Sequence, residues 1–245
     1  MIEAATLHGF RAGVYVVALM VLLAWYRRVP DDQRAFCRPV LFVVGFAAVA
    51  TALVAAGVGT VPVGTGEVVV PSVLDDLVAY VLLYAVMARL AGINGRALAA
   101  IVFTPVAQRL GFEVATVTDG PIALLGLVIL VGGHLALAAF LLGPIWRRAQ
   151  AVPEQPRLLH WKARNLLLFI VGMFVVFVLL ALFGIFDNFT TLIVQQYMTV
   201  LLRVGFAGFL FANLDAVGDV GLERPAFEVQ QFDAHDERAD EEHHP

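Results

Sequence analysis

The sequence predicts an all-α membrane protein, a bundle of seven transmembrane helices with its N-terminus outside and its C-terminus in the cytoplasm. Three observations predict it: the composition, the number of long apolar stretches and the placement of the arginines. Of 245 residues, 60% are apolar and only 15% charged, whereas a soluble globule carries about a quarter charged residues. Too few polar side chains are present to coat a water-facing surface. The formal charge of −4 excludes a general nucleic-acid binder, which needs a basic patch to displace counterions. A single cysteine, Cys37, excludes an internal disulfide and a thiolate metal cluster. The first ten residues lack the basic start of a signal peptide, so the first apolar stretch is expected to be retained.

A membrane helix needs about 20 mostly apolar residues. Seven stretches qualify: residues 8–26, 36–57, 71–91, 96–112, 120–145, 162–186 and 190–213. The fourth is the shortest, diluted by Thr104, Pro105, Gln108 and Arg109. In hydrocarbon every backbone amide must be paired internally, which favours helices. A transmembrane barrel would show alternating patterns of about 10 residues, and these runs are continuously apolar.

Positive charges in short loops set the orientation. Arg27, Arg28, Arg34 and Arg38 follow the first span, and Arg89 and Arg96 flank the turn after the third. Arg147, Arg148, Arg157, Lys162 and Arg164 separate the fifth from the sixth. The loops after the second and sixth spans have neither lysine nor arginine, and only Arg11 and Arg109 are expected on the opposite side. Beyond the helical domain, 1–213, the segment 214–245 holds half of the chain's acidic residues, among them Asp233, Asp236, Glu237, Asp240, Glu241 and Glu242. Such a composition reads as an acidic disordered cytoplasmic tail. Lys162 is the only lysine, and the arginine excess with the acidic tail suggests a halophilic source.

Ionisable groups within a span cost about 2.5–3.5 kcal/mol on insertion scales and mark functional sites by default. Asp75 and Asp76 in the third span are expected to be the only acids well inside one. Arg203 lies near the middle of the seventh, too deep to reach the interface, and arginine cannot escape the cost by deprotonation. An ion pair across the bundle is expected. Consecutive helical residues point about 100° apart, so one aspartate is expected to meet Arg203 directly and the other through water. Thr199 shares a helix face with Arg203, Gln195 and Gln196 continue that polar side, and Tyr80 is placed to hydrogen-bond near Asp76. Such groups also serve as inter-helix glue. His134 is the only histidine expected inside a span, and a lone one is more often a packing residue than a relay.

At these residues the chain resembles the microbial rhodopsins, in particular their archaeal sensory-rhodopsin and bacteriorhodopsin branch. Val61-Pro62-Val63-Gly64 through Pro71 to Asp75 resembles the loop and helix C start of the sensory members. Lys162-Ala163-Arg164-Asn165 resembles the start of helix F, and Arg203-Val204-Gly205-Phe206 the helix G signature in which lysine precedes Val-Gly-Phe. The resemblance covers roughly residues 8–213 and implies an opsin-like fold in the cell (plasma) membrane.

What the family implies and this chain lacks is equally specific. The family's retinal is joined as a Schiff base to the helix G lysine, and Arg203 stands there. A guanidinium does not form that imine, so no covalent retinal is expected; noncovalent retinal or lipid remains open. The resemblance keeps the counterion aspartate as Asp75, turns a pocket tryptophan into Asp76 and the second acid into Thr199, and puts Val86 at the pumps' internal proton donor. It assigns the former retinal pocket to Ala79, Gly126, Val171, Phe174 and Val178, with Val175 in place of a proline. With its rings replaced by small aliphatics, that pocket is expected to be collapsed, filled by Tyr80, Phe174 and Arg203, or occupied by water or lipid.

The main functional expectation is a non-photoactive opsin homologue acting through protein–protein contacts, as an accessory, assembly or signalling partner of another rhodopsin or a membrane signalling protein. Gly126, Gly132 and Gly133 would support close helix approach, within the monomer or in a homo-oligomer. The alternatives are ion or proton transport, or small-ligand sensing, through the polar core of Asp75, Asp76, Thr199 and Arg203. An enzyme is not expected, because no metal-ligand spacing, catalytic triad or phosphate loop is present. Gly64-Thr65-Gly66 lacks the strand–helix setting of a nucleotide site.

Overall fold

The computed structural model describes residues 4–218. Seven helices are long and apolar enough to cross a membrane. They are α1 (Ala4–Tyr26), α2 (Arg34–Ala55), α3 (Val70–Arg89), α4 (Gly95–Val117), α5 (Gly120–Ala149), α6 (Glu154–Leu182) and α7 (Asn188–Phe211). Consecutive helices pack side by side, most extensively α1 on α2 and α4 on α5, and α7 closes the ring against α1, α2 and α6. Large apolar side chains cover the outside, Phe103, Leu135, Phe169 and Val176 among them. That surface suits lipid, a solvent as apolar as the side chains themselves.

Two helices run further than their hydropathy suggests. The sixth begins at Glu154, two turns before the expected start, because Pro153 ends the preceding loop and Glu154 favours the helix N-terminus. At a 1.5 Å rise its 29 residues exceed the roughly 30 Å hydrocarbon thickness. The polar first turns therefore carry helix that an apolar window does not register, and they bury His160 completely. His134, the histidine expected inside a span, is only partly buried, whereas His160 is fully so. The fourth helix, expected to be the shortest, extends to Val117 because Arg109 and Glu113, one turn apart, pair with each other.

The loop after α2 forms a hairpin, β1 (Thr60–Val63) with β2 (Gly66–Val69), in antiparallel register Val63↔Gly66. Gly64 adopts φ +59°, the positive value that the first position of a tight hairpin turn requires. The backbone N–H of Thr65 donates to the Val117 carbonyl at 2.9 Å, pinning the hairpin to the end of α4.

Both α5 and α7 contain one widened π-helical turn, Leu141–Ile145 and Leu201–Gly205. The first includes Pro144, which has no N–H for the helical ladder. The second contains Arg203. At the C-terminal end, Leu214 is buried and α8 (Asp215–Gly218) packs on α6. The start of the expected disordered tail is therefore folded; the rest of it, 219–245, lies outside the described residues.

Candidate functional site

Arg203 is fully buried on the inner side of α7, held at the depth of Asp75 and Asp76 of α3. Its fork meets Asp75 at two points, Nε donating to Oδ1 at 3.2 Å and Nη2 lying 2.8 Å from Oδ2. That is the bidentate arrangement that favours arginine over lysine. Nη2 also donates to Asp76 Oδ1 at 2.6 Å, and Nη1 to the Thr199 carbonyl at 3.2 Å. Both aspartates therefore meet Arg203 directly, although they leave α3 in different directions. A planar guanidinium has several donor edges and sits between the two carboxylates rather than facing one. Thr199 contributes its carbonyl, while its hydroxyl donates to the Gln195 carbonyl at 2.7 Å.

The cluster continues onto α4. Arg109 Nε donates to Asp76 Oδ2 at 2.7 Å, and Arg109 Nη1 lies 2.5 Å from Glu113 Oε1. Each Asp76 oxygen thus takes one guanidinium. Five charges join α3, α4 and α7 in the order Glu113, Arg109, Asp76, Arg203, Asp75. Arg109, which loop counting assigned with Arg11 to the outer side, is buried and paired with two acids. Glu113 joins Asp75 and Asp76 as a third acid well inside a span. Their four-residue spacing was the available signal, masked by the assumption that the fourth span ends at Phe112. Arg11 and Tyr15 of α1 are buried within electrostatic range of Arg203 and Asp75. Tyr80 makes no hydrogen bond to Asp76, whose two oxygens each take an arginine instead.

Beside the cluster lies a cavity of about 280 Å³. Asp76, Tyr80, Gln108, Arg109 and Thr199 give its polar wall, and Val171, Phe174, Val175 and Val178 of α6 give much of its apolar one. Of the expected alternatives, collapse and filling by side chains do not hold. Tyr80 and Phe174 line an open space, and Arg203 is not among the lining residues because the carboxylates hold it toward α3. Ala79 and Gly126 do not line the cavity either. Ala79 is packed in the core, and Gly126 sits at the α4–α5 crossing, where a Cβ would come within 2.5 Å of the Gly111 carbonyl and 2.7 Å of the Ala115 nitrogen. Gly133 also faces α4, leaving room for the Gln108 side chain, whereas Gly132 faces open space.

Retinal attached covalently does not fit these residues. Its aldehyde needs an amine, and the sole lysine, Lys162, is exposed on α6 and takes no part in the cavity wall. Arg203, expected from the resemblance to stand at the lysine's place, is a guanidinium whose donors are already committed to Asp75, Asp76 and Thr199.

No protein-family model and no curated protein matches the chain. Solved structures do. Cyanorhodopsin from the cyanobacterium Tolypothrix sp. superposes with a TM-score of 0.80 at 19% identity, covering 90% of this chain and 99% of that one. The light-driven proton pump LR (Mac) from Leptosphaeria maculans gives 0.80 at 14% identity, covering 90% and 98%. Thermophilic rhodopsin from Rubrobacter xylanophilus gives 0.79 at 18%, covering 89% and 99%. Seven apolar helices in this order, superposing over nearly the whole length of those chains, give this multi-pass membrane protein the microbial-rhodopsin fold.

Proposed function

We propose that the chain is a non-photoactive opsin-fold membrane protein without covalent retinal, which senses a small noncovalent ligand in its cavity and acts through contacts with a membrane partner. One observation carries this reading: Arg203 is fully buried and fork-paired with Asp75 where the resemblance puts the pigment's lysine. The charge pair of a Schiff base and its counterion is thereby reproduced without a chromophore. The cavity next to it supports ligand sensing, because a closed bundle needs no such space. The arginine-rich loops 27–38 and 147–164 support a cytoplasmic C-terminus.

The test is spectroscopic. Purified protein incubated with all-trans retinal should develop no red-shifted visible band, and borohydride should leave no retinyl adduct on Lys162. A visible pigment that hydroxylamine bleaches would overturn the reading.

Proton transport is the second reading, supported by the chain of ionisable groups from Glu113 to Asp75 and by structural neighbours named as light-driven proton pumps. A permanently charged guanidinium is a poor proton carrier and a barrier to cations, which places this reading second. Proton flux in proteoliposomes that disappears in Asp75→Asn would favour it.

A further inference from the structure

Gln108 is 3% exposed, lines the cavity from α4, and has neither its amide nitrogen nor its amide oxygen hydrogen-bonded. A buried primary amide left this way forfeits the full desolvation cost of a donor and an acceptor. It is also sterically fixed: Gly133 on α5 opens the slot it occupies, and a Cβ there would lie 2.7 Å from Gln108 Cγ. Pro105, one turn earlier on the same wall, has no N–H to give the Ile101 carbonyl. A hydrogen-bonding notch is thus set into a largely apolar space.

Asp76 and Arg109, the charged groups bordering the cavity, each already have an oppositely charged partner, although Arg109 Nη1 makes no hydrogen bond. Asp76 holds Arg203 and Arg109, and Arg109 also holds Glu113. A charged ligand head would enter without a free counterion, at the cost of burying an unpaired ion. A neutral head suits the site. At about 280 Å³ the space lies at the lower end of small-molecule pockets.

We infer that this cavity binds a neutral, mainly apolar molecule whose head both donates and accepts a hydrogen bond, with Gln108 as the recognition residue. The fitting chemistry is a primary carboxamide, a protonated carboxylic acid or an alcohol on a short hydrocarbon body. The inference rests on the ligand-sensing reading above and specifies its ligand class.

The full-length protein in phosphatidylcholine nanodiscs is titrated with labelled decanamide and, at equal mole fraction in lipid, with labelled decane. Decanamide should bind about 30-fold more tightly, as two hydrogen bonds of ordinary net strength provide. In Gln108→Met that preference should vanish while decane binding persists, which also shows that the cavity is intact. Should Gln108→Met not fold, Gln108→Asn, whose amide is drawn back by one methylene, should reduce the preference several-fold. Equal affinity of the two probes, absence of binding, or a preference that survives loss of the amide overturns the inference. Retinal uptake is a separate measurement, so a pigment would sink the retinal-free reading, and a missing head-group preference would sink this one alone.

Discussion

At the scale of single residues, Arg203 shows why a buried ion pair is better regarded as a constraint than as a source of stability. Well-packed apolar replacements of such pairs are often neutral or stabilising, whereas removing one partner costs about 3–5 kcal/mol. Arg203→Leu leaves Asp75 without its paired cation, with Arg11 in electrostatic range only, while Asp76 keeps Arg109. Thermal unfolding in detergent should therefore show a marked loss for Arg203→Leu and a clearly smaller one for Arg203→Leu combined with Asp75→Asn. Equal losses would contradict the pairing. Asp187, in the turn before α7, offers a milder contrast outside the membrane. The Thr190 backbone N–H donates to its Oδ1 at 2.6 Å and holds the carboxyl below its ordinary value. With the folded value depressed, the cap is present above the ordinary carboxylate range and lost as pH falls through the folded value. Amide exchange at Thr190 should accordingly show protection at neutral pH that weakens in acid, and Asp187→Ala should remove the pH dependence.

At the scale of elements, helix existence was legible and helix extent was not. Long apolar runs announce the part of a helix that lies in hydrocarbon, but α4 and α6 continue through polar turns supported by Arg109–Glu113 and by Pro153–Glu154. The site followed the same division. Arg203 with Asp75 was readable, because a charge stranded at mid-span requires a partner. The bridge through Arg109 was not, since it depends on which face α4 turns inward and on Glu113 lying within the helix. Gly126 misled for a related reason: a small residue aligned with a bulky one suggests an emptied pocket, yet here it marks a helix crossing. Gly126→Ala should destabilise by about 1–3 kcal/mol through overpacking against α4 backbone. Gly132→Ala meets open space and should be neutral or stabilising through helix propensity. Comparing the melting of the two variants checks the assignment of their faces.

At the scale of the whole molecule, the seven spans and the arginine distribution fix an expected sidedness. A protease-sensitive epitope appended after Pro245 should resist digestion in intact cells and be cleaved in inside-out vesicles; the opposite pattern would reverse the orientation. The hairpin after α2 and the ion cluster both tie α4 to its neighbours, one at the helix end and one in the interior. The widened turn at Leu201–Gly205 has a consequence for the entire seventh helix. It absorbs one surplus residue, so that Thr199 upstream and Phe206 and Leu210 downstream all point into the bundle. Rewinding that stretch to ordinary α-helical pitch would swing one half against the other by about 100°. Either the guanidinium would leave its aspartates, or the phenylalanine and leucine would face the acyl chains.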